Sequence, residues 1–111
     1  MNPSKRKGTA FETAVVRYLN DHGYPHAERR ALTGNQDRGD IAGIPDFALE
    51  CKAVQSIALA QFVDEATREA INAGVPYGAA IIKRRQKNVD QAYVVMTFAQ
   101  FVELIRSRGG H

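Results

Sequence analysis

One cysteine, Cys51, is all the thiol chemistry that the sequence offers. A single thiol cannot close an internal disulfide, so a disulfide-stapled secreted scaffold is excluded and a reducing, intracellular, cytoplasmic setting is expected. Cysteine and histidine are also too sparse for a zinc site: His22, His26 and His111 are scattered and make no ligand set. No apolar run approaches the ~20 residues that cross a bilayer, so no membrane role is expected. The basic opening Met1-Asn2-Pro3-Ser4-Lys5-Arg6-Lys7 has no apolar segment behind it and does not read as a secretion signal. Repeats, low-complexity stretches and linkers are missing too. The 111 residues therefore read as one domain over 1–111, with loose ends at 1–4 and 108–111 and room for a single modest core.

Hydrophobic residues make up 44% of the chain and charged residues 24%, as in an ordinary globular domain. The net charge of +3 is less informative than its placement, in Lys5-Arg6-Lys7, Arg29-Arg30 with Arg38 nearby, and Lys83-Arg84-Arg85 with Lys87. Clustered cations are the footprint of phosphate contact, or else a solubilising surface; charge alone supports both readings.

The hydrophobic pattern predicts a helix from Thr9 to Asp21, with Phe11, Val15, Tyr18 and Leu19 at helical spacing, stopped by Gly23 and Pro25. Strands follow at His26–Leu32, Gly39–Gly43 and Phe47–Val54, separated by a turn over Thr33–Asp37 and a tight connection at Ile44-Pro45-Asp46. Ser56 is placed to cap a second helix over Ala58–Ala73, whose apolar face is Leu59, Phe62, Val63, Ala66, Ala70 and Ala73. Two more strands, Tyr77–Arg84 and Gln91–Phe98, precede a helix over Ala99–Ser107 that should bury Phe101, Leu104 and Ile105. Short loops make antiparallel neighbours, and the intervening helix lets the fourth strand return parallel. The fold class is therefore α/β, a mixed five-stranded sheet flanked by helices.

Chemistry concentrates in Phe47-Ala48-Leu49-Glu50-Cys51-Lys52. Alternation sends Phe47, Leu49 and Cys51 to one face, a core face, and Ala48, Glu50 and Lys52 to the other, expected to face solvent or ligand. If Ile44, Pro45 and Asp46 form a three-residue hairpin loop, Gly43 pairs with Phe47 and Asp40 lies opposite Glu50, with Cβ atoms about 5 Å apart. Two carboxylates so close call for compensating charge, from Lys52 and from a divalent cation. Mg²⁺ typically takes one or two carboxylates and completes its shell with water and substrate phosphate, which suits phosphodiester hydrolysis. Lys52 can position the attacking water or neutralise transition-state charge. The other reading is an exposed strand carrying an ordinary cross-strand salt bridge. Glu12 falls inside the arc of Phe11, Val15 and Leu19, where a carboxylate needs a partner, unless it reaches water from the edge of the stripe.

Taken in order, Lys7-Gly8-Thr9-Ala10-Phe11-Glu12 on the first helix, Gly39-Asp40-Ile41 on the second strand and Glu50-Cys51-Lys52 on the third resemble the PD-(D/E)XK nuclease superfamily, and most closely its Holliday junction resolvase branch. The resemblance spans nearly the whole chain. It implies a restriction-endonuclease-like fold, Asp40 and Glu50 as ligands of Mg²⁺ or Mn²⁺ with Glu12 close to the metal, and Lys52 as the catalytic lysine. Gln61 matches a glutamine that is frequent in the following helix of that family. Gly39 stands where many members have proline, and Asp46, although it follows a proline, leaves too few residues before Glu50 and reads as a loop residue. The implied activity is a homodimeric endonuclease cutting branched DNA in recombination and repair. Related small phage and bacterial nucleases act instead on flaps, single strands or duplexes, and a DNA-binding module without catalysis is the reading from another class.

Overall fold

A computed structural model describes residues 3–31 and 37–109, with side chains from Gly8 onwards. The elements, in order, are helix α1 (Pro3–Asp21), strands β1 (Glu28–Arg29), β2 (Ile41–Ala42) and β3 (Phe47–Lys52), helix α2 (Leu59–Ala73), strand β4 (Tyr77–Ile82), a 3₁₀ turn at Val89–Gln91, strand β5 (Tyr93–Val95) and helix α3 (Phe98–Gly109). The strands form one sheet in the order β1-β2-β3-β4-β5. The β3–β4 pair is parallel, from Phe47↔Tyr77 to Lys52↔Ile82, and the other pairs are antiparallel. This is the mixed five-stranded α/β sheet that the pattern predicts, with α2 as the crossover between the parallel strands.

Both faces of the central strands are covered. On the α1 face Phe11, Val15, Ala27, Ile41, Leu49, Ala79 and Ile81 form the larger core cluster. On the α2 face Phe62, Ala80 and Ile82 form the smaller one. All of β4 is buried, as expected of a parallel strand between two helical layers. Its Gly78 is packed against α2: a Cβ there would come within 2.1 Å of the Ala66 carbonyl oxygen and 3.1 Å of the Ala70 Cβ. Gln100 of α3 fastens the layers, accepting the Gly78 N–H at 2.7 Å and donating to Thr67 Oγ1 at 3.2 Å.

Several boundaries differ from the sequence reading. The helix α1 begins at Pro3 rather than Thr9, with proline in the first turn where its missing N–H costs nothing. Instead of spanning His26–Leu32, β1 is two residues long; Asn20 Nδ2 donates to the carbonyls of Tyr24 and Ala27 and holds the chain in a turn up to its start. Leu32 and the turn residues Thr33–Gln36 lie outside the described residues. Gly39, at φ +99°, leaves the extended region, so β2 starts after Asp40. The Ser56 cap is not formed: Ala58 is the N-cap and its side chain makes no cap bond. The other end of α2 is as expected, with Gly74 left-handed at φ 69° and Val75 N–H returning to the Ala70 carbonyl. Ile82 ends β4, so Lys83 and its neighbours lie in the turn and not on the strand. Part of the expected β5 is spent on the 3₁₀ turn. Finally, α3 buries no residue, leaving Phe98, Phe101 and Ile105 exposed on one face.

Candidate metal centre

The hairpin register is the one deduced from loop length. Ile41 pairs with Leu49, the pairing ends there with Asp40 just ahead of β2, and Asp46 takes a left-handed turn conformation at φ 69° in the loop. Asp40 is fixed from three directions. Its N–H donates to the Leu49 carbonyl at 2.7 Å, its carbonyl accepts the Arg30 N–H at 2.8 Å, and its Oδ2 accepts the Cys51 N–H at 2.7 Å. Gly39, whose positive φ proline cannot adopt, lets the chain pass close to Leu49 just before the aspartate. Burial, and then the charge of Glu50, push the Asp40 carboxyl up to about 7, against the pull of the Cys51 N–H.

The face carrying Glu50 and Lys52, expected to meet solvent or ligand, is not a solvent face. It lies under α2, and Glu50 is only 9% exposed. Leu49 and Cys51 turn to α1, where burial drives the Cys51 thiol far above its usual range and keeps it an unreactive filler. Lys52 lies between two carboxylates, 2.9 Å from Glu65 Oε2 and 3.5 Å from Glu50 Oε1, with Nζ over the Phe62 ring. Burial pulls its amine down, but the hydrogen bond to Glu65 and the charge of Glu50 outweigh that, so it is a firm ammonium. The simple cross-strand salt bridge is therefore replaced by a partly buried network reaching onto the helix.

That network includes residues that the sequence reading missed. Among the described residues, Asp37, Glu50 and Glu69 bring carboxylate oxygens within 4.8 Å of one another, a group able to hold a metal ion. Glu69 lies on the buried side of α2 and is 4% exposed. Burial first, and then the neighbouring Glu50 carboxylate, push its carboxyl up to about 10. Glu50 Oε2 and Glu69 Oε1 are buried with no hydrogen-bond partner among the described residues. These side chains line an open cavity of about 340 Å³ together with Lys52, Glu65, Arg68 and Asn72. A signal for Glu69 was present: it stands seven residues after Phe62 and three after Ala66, inside the apolar stripe, as Glu12 does on α1. Asp37 carried no such signal in a turn-rich stretch.

The remaining predicted residues are placed as follows. Glu12 is close enough to add to the charge around Asp40, but neither Asp40 nor Glu12 is a member of the three-carboxylate group, and Glu12 Oε1 accepts from Arg29 Nε at 3.0 Å. Gln61 is exposed and reaches the network indirectly, donating to Glu65 Oε1 at 3.0 Å. Arg30 is half-buried and Arg38 exposed. Lys83, Arg85 and Lys87 project from the β4–β5 turn, while the Arg84 guanidinium stacks 4.9 Å above the Tyr93 ring. Lys5, Arg6 and Lys7 fall in the first turns of α1, and their side chains lie outside the description. No described helix is long and apolar enough to cross a membrane. No protein-family model matches the chain, and neither the curated proteins nor the solved structures yield a match.

Proposed function

We propose that this chain is a metal-dependent endodeoxyribonuclease that hydrolyses DNA phosphodiesters and selects branched DNA in the manner of a Holliday junction resolvase. The observation that carries the reading is that the charge of Glu50 reaches Asp40 across the Ile41↔Leu49 hairpin, with the Lys52 ammonium 3.5 Å from Glu50. The donor set fits a hard divalent cation: Glu50 Oε2 is buried and unpartnered, and Asp40 commits Oδ2 to Cys51, leaving Oδ1 free of that bond. Asp40 and Glu50 would hold Mg²⁺ or Mn²⁺, with Glu12 at the margin; when bound, such an ion polarises a phosphate and acidifies water. Lys52 supplies fixed positive charge where negative charge grows on the phosphoryl oxygens. Cys51 N–H and Gly39 keep Asp40 from turning away.

Exposed Lys83, Arg85 and Lys87 provide sequence-independent phosphate contacts, with Arg38 as a further candidate. Phe98, Phe101 and Ile105, exposed at helical spacing on α3, support a two-fold dimer, which would let a one-site subunit cut two symmetric strands. The test is cleavage of an end-labelled four-way junction in magnesium, beside flap, single-stranded and duplex controls. Paired cuts in the junction alone are expected. Cutting of flaps or duplex instead would make this a nuclease of broader substrate range, and binding without any cutting would leave a DNA-binding module.

A further inference from the structure

We propose that Asp37, Glu50 and Glu69 bind a divalent cation on the α2 side of β3, making Glu50 the ligand shared between this ion and the one assigned to Asp40. Only the sharing rests on the nuclease reading; the α2-side site stands on its own geometry. The three carboxylates arrive from the loop before β2, from β3 and from α2, and their oxygens lie within 4.8 Å of one another. Ligands on opposite sides of an ion are about 4.2 Å apart around Mg²⁺ and about 4.8 Å around Ca²⁺, so the spacing is that of one coordination shell.

Two further observations single this cluster out from an ordinary acidic patch. Glu50 and Glu69 are more than nine-tenths buried, and each has an oxygen without a hydrogen-bond partner among the described residues, both side chains lining the same cavity. Ionised carboxylates left in that condition are strongly unfavourable, so each either keeps a proton or meets a cation, and a cation can serve both at once. The local cations do so only in part: Lys52 meets Glu50 at Oε1 and lies closer to Glu65, and four carboxylates line the cavity against Lys52 and Arg68. Asp37 is also held in position. Its Oδ1 accepts the Gly39 N–H at 2.9 Å, and its carbonyl accepts Asn72 Nδ2 at 2.9 Å, which ties the loop to α2.

Mn²⁺ binding to the full chain without DNA tests this, with free ion counted by electron paramagnetic resonance and thermal unfolding followed in parallel. The wild-type chain should bind two ions. Glu69→Gln and Asp37→Asn should each weaken one of them at least about tenfold and keep the other, whereas Asp40→Asn should do the reverse. Wild-type stoichiometry and affinity in both Glu69→Gln and Asp37→Asn would overturn the site. Asp37 is exposed, so its variant keeps the test informative should Glu69→Gln fold poorly. If the wild-type chain cuts no DNA while Glu69→Gln and Asp37→Asn still lose an ion, the nuclease reading falls and this site stands.

Discussion

The Asp40 carboxylate accepts the backbone N–H of Cys51 at 2.7 Å, so a side chain occupies a place that a strand partner would otherwise fill. Asp40 is therefore structural as well as a candidate ligand. Asp40→Asn keeps an acceptor for that N–H and should fold normally. Asp40→Ala strands the donor and should lose about 1–3 kcal/mol in urea denaturation. Equal stability of the two variants would show that the bond contributes nothing.

In the cleavage assay, Glu50→Gln and Lys52→Ala are expected to reduce the rate by about a hundredfold or more. Lys52→Ala should also lower the melting temperature, because it leaves Glu50 and Glu65 without their ammonium under α2. Undiminished cutting by Glu50→Gln in magnesium would remove the assigned centre.

Without metal, pH should act on this protein through the two raised carboxyls. Asp40, at about 7 against an ordinary 3.8, and Glu69, at about 10 against 4.5, keep protons in the folded chain that the unfolded chain has released. Folded-state proton binding then exceeds that of the unfolded state, so stability falls as pH rises from about 4 through each folded value. Calorimetry in chelator at about pH 5, 7 and 9 should show Glu69→Gln gaining on the wild type as pH increases. Adding Mn²⁺ should restore the wild type most at the highest pH, where fewer protons have to be displaced. A pH-independent gap between the two proteins would contradict the assignment.

Exposed Lys83, Arg85 and Lys87 should each account for about 0.9 of the slope of log affinity against log salt. Their combined alanine variant is expected to weaken binding to every DNA sequence alike. An unchanged slope would reduce the turn to a solubilising surface.

The hairpin was legible because its register depends only on the length of Ile44-Pro45-Asp46 and the alternation of β3, both local properties. The face that Glu50 occupies was not, since alternation says which side chains share a face but not what covers it; that depends on α2 packing from farther along the chain. Glu69 was overlooked because a carboxylate was left out of an otherwise apolar stripe, although its spacing was right. The late start of β1 goes with Asn20 reaching the Tyr24 and Ala27 carbonyls, side-chain bonds that hydrophobic periodicity cannot encode. For α3 the pattern identified an apolar stripe correctly, but periodicity cannot tell a stripe that meets the sheet from one left exposed.

Gly78 has a bearing on ion choice although it touches no carboxylate. By carrying no side chain opposite Ala66 and Ala70, it sets how closely α2 approaches the sheet, and so how far Glu69 stands from Glu50. The helix and strand work as the jaws of a calliper, with the missing methyl group as its setting screw. Hard cations of equal charge differ chiefly in radius and in the number of oxygens they accept. A chain with a bulkier residue at this position would hold the jaws wider and favour the larger ion, leaving every ligand unchanged.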